Sequence, residues 1–431
     1  MKAVVFDRTG GPEVLEAREV PDPRPAPDEV LIEVKACGMN HLDLWIRAGA
    51  IGLEIEMPHI LGCDVVGVAR EVGAGVRHVK PGDRVLVLPT LSCGVCAACL
   101  AGDDNLCRFY DLVGRKRNGG YAERVAVPGA NCLPYPDDLS WERAAAIPVA
   151  FLTAWHMLVT RAGLRPGEDC LVIGAGSGVG SVAVQLARLL GARVIATAGD
   201  ERKLERALAL GAHEVVNHRT ADLTSEVRRL TGKKGVEVVF EHVGGRIFEQ
   251  CVGTLARNGR LVTCGATIGN QVTLDLNLLF GRHLTLLGSW MGRKSELVQV
   301  LELVRAGRLA PIVDTVLPLA DFLRRQAWFA LIAFVIIGGS LFLGMAGYHS
   351  IAGLGWIDSL LNASMILTGM GPVDPMQTKG AKIFASLYAI FSGVVFLTSV
   401  GVLLAPVVHR VLHWFHLDAE EGEQGIRPRK R

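Results

Sequence analysis

The sequence predicts an α/β fold of two interlocked domains, followed by an α-helical membrane hairpin. Three observations predict it. Short apolar runs separated by glycine and proline fill residues 1–125, an alternation of strands and helices begins near residue 169, and residues 326–408 contain only four charged side chains. These patterns are typical of a small antiparallel barrel, of a doubly wound parallel sheet, and of helices that cross a lipid bilayer.

Composition excludes several classes of protein. The chain has 431 residues, of which 50% are hydrophobic and 20% charged, so it is too apolar to be disordered. The formal net charge is only +2, which gives no global basic field for nucleic acid. Ten cysteines in this length are too few for a secreted disulfide scaffold, and the start MKAVVFDRTGGPE contains no signal-peptide core. We therefore expect reduced cysteines and a cytoplasmic N-terminal part.

Five segments are predicted along the chain. They are an antiparallel catalytic domain at residues 1–125, a linker helix with a doubly wound nucleotide-binding domain at 126–290, a short return to the catalytic domain at 291–321, two transmembrane helices with a loop between them at 326–408, and a cytoplasmic tail at 409–431. The expected strands of the two domains are 2–6, 29–36, 65–72, 83–88 and 122–127, then 170–173, 193–197, 236–240, 260–264 and 284–288.

A glycine-rich turn joins the first strand and helix of the nucleotide-binding domain. It reads GAGSGVG and contains the predicted cofactor contacts Gly174, Gly176, Ser177, Gly178, Val179 and Gly180. Glycines let backbone N–H groups approach a pyrophosphate at the N-terminus of the helix. The strand–turn–helix context favours a dinucleotide site, and the alternative is a tight turn without a ligand.

The end of the second strand indicates which dinucleotide binds. NAD sites usually place a carboxylate there for the ribose 2′-hydroxyl, but this strand ends in Ala198-Gly199. Arg202 and Lys203 follow and could meet a 2′-phosphate, so NADPH is predicted. NADH stays open if Asp200 turns back to the ribose. The other residues assigned to the cofactor site are His218, Val243 and Gly265.

A cluster of cysteines is the strongest single motif. In CGVCAACLAGDDNLC the spacings are three, three and eight, which brings together Cys93, Cys96, Cys99 and Cys107. Four thiolates can close a tetrahedral shell around zinc and leave no open position, so the motif favours a structural zinc site. An iron–sulfur cluster and redox-active thiols are the alternatives.

Motifs spread over residues 1–320 resemble one family. They are KACGMNHLDLWIRAG at 35–49, PHILGCDVVGVAREVG at 58–73, PGDRV at 81–85, the four-cysteine lobe, GGYAERVAVP at 119–128, the glycine turn, EHVGG at 241–245 and LVTCGATIG at 261–269. The chain is thus similar to the medium-chain, zinc-containing alcohol dehydrogenase and quinone oxidoreductase superfamily. The resemblance implies a GroES-like catalytic domain, a Rossmann domain, NAD(P)(H), hydride transfer in the cleft between them, zinc on the four cysteines, and a homo-oligomer.

The resemblance leaves a second, catalytic zinc open. Alcohol dehydrogenases of this family hold it with a Cys, a His followed by Glu, and a later Cys. Cys37 matches the first of these, Cys63 and Asp64 fall on the His-Glu pair, and Val149 falls where the later Cys is expected. A catalytic zinc needs three protein ligands and an open position. Cys37, Cys63 and Asp64 supply three only if Asp64 bends inward; otherwise both thiols are small buried side chains.

Other residues resemble the zinc-free quinone and enoyl reductase branch. Asn40 and Asp43 in GMNHLD carry this likeness. It implies hydride transfer from NADPH to the β-carbon of a small-molecule quinone, enone or enoyl substrate, with a hydrogen-bond donor that stabilises the enolate. Asn40, His41, Asp43 and Thr153 are the candidate cleft residues. The alternative within the family is an alcohol dehydrogenase that acts on a carbonyl–alcohol pair.

The C-terminal part predicts a multi-pass membrane segment. Two apolar runs, at about 328–347 and 383–406, are each long enough to cross a bilayer. Arg324 and Arg325 precede the first run and Arg410 follows the second, so the positive-inside rule places both ends, and the enzyme domain, in the cytoplasm. No glycine or proline linker separates the two parts, and we expect the closing strand of the catalytic domain to be missing at this junction.

The loop between the spans carries a second resemblance. Residues 356–367 are suited to a helix too short to cross a bilayer, and Thr368-Gly369-Met370-Gly371-Pro372 follows. The order of helix, short helix, glycine turn and helix is similar to the pore module of potassium channels, although the TVGYG-type filter is missing. A channel-like protein with a nucleotide-sensing domain is therefore the competing function from another class. NADPH turnover with an enone would distinguish the two.

Overall fold

Two compact units make up the chain, the first from Met1 to Asp314 and the second from Thr315 onward. The structure is a computed structural model that describes residues 1–50, 52–135, 138–316 and 319–395, with the backbone alone for 319–327, 329, 330 and 333.

The N-terminal domain of the first unit is built from antiparallel strands. Its strands are β1 (Lys2–Phe6), β2 (Glu16–Glu19), β3 (Glu29–Gly38), β4 (His59–Ile60), β5 (Asp64–Val72), β6 (Arg84–Val87), β7 (Thr90–Leu91), β8 (Asp111–Leu112), β9 (Arg124–Pro128) and β10 (Cys132–Pro134). The main sheet has the order β10-β6-β5-β3-β9, beside a β2-β1-β4 sheet and the β7-β8 pair. The helices are α1 (His41–Ala48), α2 (Ala97–Leu100) and α3 (Trp141–Ala145).

This sheet corrects the expected domain boundary. The five predicted strands are present with shifts of one or two residues at their ends. However, residue 125 lies inside β9, and β10 adds a further strand that pairs with β6 from Cys132 to Pro134. The antiparallel domain therefore continues to residue 134, because the edge of its sheet is filled by residues beyond the predicted limit.

The second domain of this unit is a doubly wound parallel sheet. Its strands are β11 (Asp169–Val172), β12 (Arg193–Ala198), β13 (Glu214–Asn217), β14 (Val236–Glu241), β15 (Leu255–Thr263) and β16 (Thr285–Gly288), in the order β13-β12-β11-β14-β15-β16. The helices are α4 (Pro148–Trp155), α5 (Gly178–Leu189), α6 (Glu201–Ala209), α7 (Leu223–Leu230), α8 (Gly245–Thr254), α9 (Leu276–Gly281) and α10 (Lys294–Arg305). The strand order reverses between β11 and β14, and ligands of such sheets bind at this switch point.

The central strands are buried on both faces, which explains their continuous apolar sequences. Leu171, Val194 and Val239 are fully buried within β11, β12 and β14. Helices cover both faces of a parallel sheet, so its inner strands lack the polar alternation of a one-sided sheet. Polar residues therefore collect where these strands end, and this edge carries the candidate site.

The described part of the second unit forms three helices. They are α11 (Leu319–Ala352), α12 (Trp356–Leu367) and α13, which runs from residue 379 to the last described position, 395. Tyr348 of α11 is buried against Phe384 of α13, with their rings 5.1 Å apart. Gly347 permits this packing, since a Cβ atom there would overlap the Phe384 ring. Asn362 donates from Nδ2 to Asp374 and accepts from the N–H of Val373, so the glycine turn is tied to α12.

The predicted spans differ from these helices in their limits. The first run is part of a single 34-residue helix rather than ending near residue 347. Within the described residues, one segment, Phe334–Ala352, is long and apolar enough to cross a membrane, and only 17% of it is buried. The second predicted span extends from 383 beyond the described residues, where the tail at 409–431 also lies. Between β16 and residue 395 the described residues contain no further strand.

Candidate active site

The glycine-rich turn forms a cradle at the N-terminus of α5. Ser177 is the N-cap of this helix and accepts a 2.9 Å hydrogen bond from the N–H of Gly180. Gly174 has φ +62°, a conformation that glycine adopts most readily, and a Cβ on Gly180 would collide with the carbonyl oxygen of Gly174. Around Gly178 the only neighbour of an added Cβ is Ala150, at 3.8 Å. The turn therefore presents backbone N–H groups and helix-dipole charge to a phosphate group.

Basic side chains surround the end of β12. A Cβ on Gly199 would lie 2.8 Å from Nε of Arg219 and 3.3 Å from Nε2 of His218. Lys203 lies on the same side, with its chain packed over Gly176. Burial and the charges of Arg219 and Lys203 lower the pKa of His218, so this imidazole is a neutral hydrogen-bonding group near pH 7.

Asp200 is hydrogen-bonded to the first turn of α6. It is the N-cap of α6, accepts a 3.0 Å bond from the Lys203 N–H, and its Oδ2 lies 3.3 Å from the Lys203 ammonium. Burial alone would raise its pKa, but the contacts with Lys203 outweigh this and hold the pKa below its ordinary value. Arg202 is exposed on α6, and its charge, after that of Arg206 and together with that of Lys203, lowers the pKa of Asp314.

The end of β14 contributes a buried carboxylate and an imidazole. Glu241 is fully buried and accepts hydrogen bonds from the N–H groups of Val243 and Gly244 and from the Thr263 hydroxyl. Nε2 of His242 lies 3.1 Å from the Ile173 carbonyl oxygen and 3.2 Å from Oγ of Ser177. Burial lowers the pKa of His242 to about 4, so it is neutral at physiological pH.

These contacts fix the two other predicted cofactor residues. The N–H of Val243 donates a hydrogen bond to the Glu241 carboxylate. Gly265 packs closely against the residue that follows β14, since a Cβ on Gly265 would lie 2.6 Å from the His242 carbonyl oxygen. His242 therefore forms one wall of the glycine cradle, and Gly265 allows the neighbouring loop to approach it.

Asn40 and Asp64 face one another at the base of the antiparallel domain. Asn40 is the N-cap of α1, and its Nδ2 donates a 2.8 Å hydrogen bond to Oδ2 of Asp64. Oδ1 of Asp64 accepts a 2.8 Å bond from the N–H of Val149, at the start of α4. Burial raises the pKa of Asp64 to about 7, although both hydrogen bonds act to lower it.

This pairing bears on the ligand set that the sequence left open for a catalytic metal. The Asp64 carboxyl group is hydrogen-bonded to the Asn40 side chain, while its backbone pairs with Gly38 and lies within hydrogen-bonding reach of the Cys37 sulfur. Cys37 packs behind the segment, where a Cβ on Gly62 or Gly120 would lie 2.8 or 2.9 Å from its sulfur. Cys63 is fully buried, and burial, together with Asp43 and Asp64, raises the pKa of both thiols.

No metal-ligand group forms from these residues in the described part of the chain. The only group of three or more His, Cys, Asp or Glu with converging ligand atoms there is the four-cysteine lobe. Both oxygens of Asp64 already hold hydrogen bonds with Asn40 and Val149. A site on Cys37, Cys63 and Asp64 would need these atoms to rearrange.

Asp43 has a structural position. Its buried carboxylate accepts hydrogen bonds from the N–H groups of Asn40 and Gly62 and from the Tyr121 hydroxyl, at 2.8 to 3.1 Å. Burial raises its pKa, while these three donors act in the opposite direction. Asp43 therefore orients the start of α1 and has little capacity left for a substrate.

The two remaining cleft candidates lie on different elements. His41 is exposed at the first turn of α1, with its ring 6.2 Å from that of Trp45. After burial, the charge of His41 also lowers the pKa of His242 in the nucleotide-binding domain. Thr153 is buried on α4, and its hydroxyl donates to the sulfur of Met291 at 3.6 Å. Among the cleft candidates Asn40 is half-buried and His41 exposed, whereas Asp43 and Thr153 are buried.

The four cysteines converge as a metal-binding group. Their sulfurs lie within 4.8 Å of one another, with three separations of 3.5, 3.6 and 3.9 Å. A tetrahedron with zinc–sulfur bonds of about 2.3 Å has edges of about 3.8 Å, so the sulfurs are spaced to hold such an ion. Hydrogen bonds from the backbone at Val95 and Cys96 lower the pKa of Cys93 to about 6, which favours the thiolate that a metal needs.

Polar contacts attach this lobe to the start of α10. Arg293 pairs with Asp103 at 2.6 Å, and the Lys294 N–H donates to Asp104 at 3.1 Å. Asn105 lies 3.3 Å from Nε2 of His156, whose Nδ1 contacts Glu296 at 2.9 Å. The lobe is therefore connected to the segment 289–296 that follows β16 at the cofactor edge.

Sequence reasoning missed several of these groups. Arg219 was not assigned to the cofactor site, although it directly follows His218 and extends the basic character of that turn. His242 lay inside the EHVGG motif, where a histidine at the end of a buried strand is a signal that could have been used. The contact of Asn40 with Asp64 spans 24 positions, and no spacing in the sequence indicates it.

Comparisons with known proteins agree with this arrangement. Residues 26–137 match the family described as "Alcohol dehydrogenase GroES-like domain", and residues 178–306 match "Zinc-binding dehydrogenase". The chain is 31% identical to the quinone oxidoreductase of Sus scrofa over 324 residues, and this match covers 74% of the chain and 91% of the relative. It is 35% identical to an alcohol dehydrogenase of Geobacillus stearothermophilus over 316 residues, and this match covers 73% of the chain and 92% of the relative. A solved structure of an NAD-dependent alcohol dehydrogenase shares 51% identity, with a TM-score of 0.71, and covers 72% of this chain and 91% of that one.

Proposed function

Because the chain belongs to the family of zinc-binding medium-chain dehydrogenases and quinone oxidoreductases, it is an NAD(P)-dependent oxidoreductase, and we propose that it reduces a quinone, enone or enoyl-type substrate. Family membership alone leaves alcohol dehydrogenase as the other reaction, since relatives of both kinds match. The observation that favours reduction of a conjugated carbonyl is the Asn40–Asp64 pair, which places hydrogen-bonding groups rather than converging metal ligands beside the start of α4.

In this proposal the side-chain amide of Asn40 is the hydrogen-bond donor to the substrate oxygen. The reduced nicotinamide, when bound, supplies a hydride to the β-carbon of the substrate. Negative charge then develops on the substrate oxygen, and a fixed N–H donor at that oxygen stabilises it without a metal. One hydrogen of Asn40 Nδ2 is held by Asp64, which leaves the other for the substrate. His41, exposed beside it, is the candidate for delivering the proton.

A comparison of substrates tests this function. Purified full-length protein is assayed for NADPH oxidation with a quinone and an enone, and for NADP⁺ reduction with primary and secondary alcohols. We expect turnover of the first pair, unchanged after brief treatment with a chelator that leaves the four-cysteine zinc in place. Rapid alcohol oxidation that the chelator abolishes would instead support the alcohol dehydrogenase reaction on a catalytic zinc.

The basic cluster at β12 supports NADPH as the preferred cofactor. Lys203, His218 and Arg219 surround the position where an NAD site carries a carboxylate, and Asp200 is engaged by Lys203. Lys203→Ala or Arg219→Ala should weaken NADPH binding by about 1–3 kcal/mol, the range of a charge-assisted hydrogen bond, and change NADH binding little. Titration of cofactor fluorescence measures both.

Arg228→Ala is a matched control for this prediction. Arg228 is a basic residue of the same domain whose side chain donates to the Gly253 carbonyl oxygen, away from β12. It should leave both affinities unchanged. Tighter binding of NADH than of NADPH by the wild type would overturn the cofactor assignment.

The four-cysteine lobe is proposed to bind a structural zinc ion. The spacing of the sulfurs supports a closed tetrahedral shell, in which no position is left for a substrate. Its polar attachment to α10 gives the ion a role in holding the 289–296 segment. The zinc would thus stabilise the fold and the cofactor edge rather than take part in the chemistry.

The second unit is proposed to anchor the enzyme in a membrane. Large apolar side chains remain exposed along α11 and α13: Phe334, Val335, Phe342, Leu343, Ile383, Leu387, Ile390 and Val394 are each 54 to 76% exposed. Apolar surface of this extent on two packed helices is typical of contact with lipid or with another protein. Neither family match extends beyond residue 306, so the proposal rests on this surface and on the length of α11.

Membrane extraction tests the anchor. The full-length protein, and its NADPH-dependent activity, should pellet with membranes after an alkaline carbonate wash and be released by detergent. Replacing both Phe334 and Phe342 with aspartate should shift the protein toward the supernatant, because each buried carboxylate costs about 2.5–3.5 kcal/mol in a lipid-spanning helix. Leu208→Asp, at an exposed apolar site of the first unit, is the control and should still pellet. Wild-type activity found wholly in the soluble fraction would contradict the anchor.

A further inference from the structure

The buried carboxyl group of Asp64 has no role yet in the candidate site. It is 3% exposed, and both described partners of its carboxyl, Asn40 Nδ2 and the Val149 N–H, are uncharged. A buried carboxyl group without a cationic partner is costly. Asp43 offsets this cost with three donors of the fold, whereas one of the two partners of Asp64 is the side chain proposed to contact the substrate. The ligand atoms of Asp64 also do not converge with those of Cys37 and Cys63 into a metal-binding group.

We propose that Asp64 is the positioning residue of the active site, whose carboxyl group holds the Asn40 amide in the orientation that presents an N–H to the substrate oxygen. This inference rests on the proposed function, in which Asn40 is the hydrogen-bond donor. It adds a residue whose effect on catalysis passes entirely through Asn40.

The hydrogen-bonding chemistry of the pair supports this assignment. A primary amide can turn by 180° and exchange its oxygen for its nitrogen at little steric cost. In its ionised form the Asp64 carboxyl group only accepts hydrogen bonds, and in that form it selects the orientation in which Nδ2 of Asn40 faces it. Without it, the amide would spend part of its time with the oxygen directed at the substrate, where it would repel the developing enolate.

The surroundings hold Asp64 itself in place. Gly38 lies against it so closely that a Cβ there would be 3.0 Å from Cβ and 3.2 Å from Oδ2 of Asp64. On the other side, the Val149 N–H fixes Oδ1 to the first turn of α4. The carboxyl group therefore has one position, and it joins α1, β5 and α4 at the point where Asn40 is presented.

A double-mutant cycle on the full-length protein tests the proposal. Asp64→Ala should lower kcat for an enone by about 10²-fold, the scale of a misplaced catalytic group, and leave the KM for NADPH nearly unchanged. In the Asn40→Leu background the same change should lower kcat less than about 3-fold, because the group that Asp64 positions is already absent. Asp64→Asn, which has the same shape, should retain the fold and cost less activity than Asp64→Ala, since its amide oxygen can still accept from Asn40.

The controls separate this role from stability and from the proposed function. Asp169→Asn changes a partly buried carboxyl of β11 that lies beside Arg193 at 3.6 Å, and it should leave kcat unchanged. Equal factors for Asp64→Ala in the two backgrounds, with wild-type enone turnover intact, would overturn the role of Asp64 alone. If the alanine variant does not fold, the asparagine variant is compared in both backgrounds by the same criterion. No NADPH-dependent enone or quinone reduction by the wild type would contradict the proposed function and, with it, this inference.

Discussion

Replacing Asn40 with leucine should lower kcat for enone reduction by about 10²–10³-fold, the cost of removing one preorganised donor to a developing oxyanion. Leucine has nearly the shape of asparagine but no N–H, so the substrate oxygen would face an apolar group. The KM for NADPH should change little, because the cofactor contacts belong to the other domain. The measurement is steady-state kinetics with one enone at saturating NADPH.

Two variants control this prediction. His41→Gln changes the neighbouring polar residue and should reduce kcat less than the loss of Asn40, if the proton can also come from water. Ser140→Ala removes the N-cap of α3, whose hydroxyl accepts from the Arg143 N–H, and affects stability without touching the cleft. If the Asn40→Leu variant has the kcat of the wild type, Asn40 is not the hydrogen-bond donor to the substrate oxygen.

Replacing Cys96 with serine should release the structural zinc and lower the melting temperature by about 5–15 °C, which corresponds to about 3–5 kcal/mol for a unit of this size. The loss is large because the ion closes the lobe on itself and the lobe holds the start of α10 through Asp103 and Asp104. Metal analysis of purified protein and a thermal melt measure the two effects.

Cys132→Ala is the matched control for the zinc prediction. Cys132 is a buried thiol of β10 in the same domain, away from the lobe. It should retain the metal and lose only the smaller stability of a truncated core side chain. Zinc content unchanged in the Cys96→Ser variant would contradict the assignment of the lobe.

The strands of the first unit could be predicted because their burial leaves a direct trace in the sequence. Val236–Phe240 is apolar at most positions since helices cover both faces of its sheet, and β14 is found there. The sequence does not predict β13, which has only four residues at the edge of the sheet and two valines to mark it. Short edge strands are set by their neighbour, here β12, rather than by their own composition.

The candidate site was predictable only where one segment holds the chemistry. The four cysteines lie within 15 positions, and the glycine turn is contiguous, so spacing alone brings their atoms together. The Asn40–Asp64 pair joins the start of α1 to β5 across 24 positions, a contact that no spacing in the sequence indicates. The length of α11 was also underestimated, because the helix continues on both sides of its apolar run.

The central claim is that the enzyme transfers hydride to the β-carbon of a conjugated carbonyl compound, and following a labelled hydride tests it most directly. Full-length protein is incubated with each of the two 4-deuterated NADPH epimers and a cyclic enone, and the product is analysed by NMR. Reduction of the conjugated double bond places deuterium from one epimer on the β-carbon of a saturated ketone, which is the result we expect. Deuterium on the carbinol carbon of an allylic alcohol would show carbonyl reduction, as in an alcohol dehydrogenase, and would contradict the account.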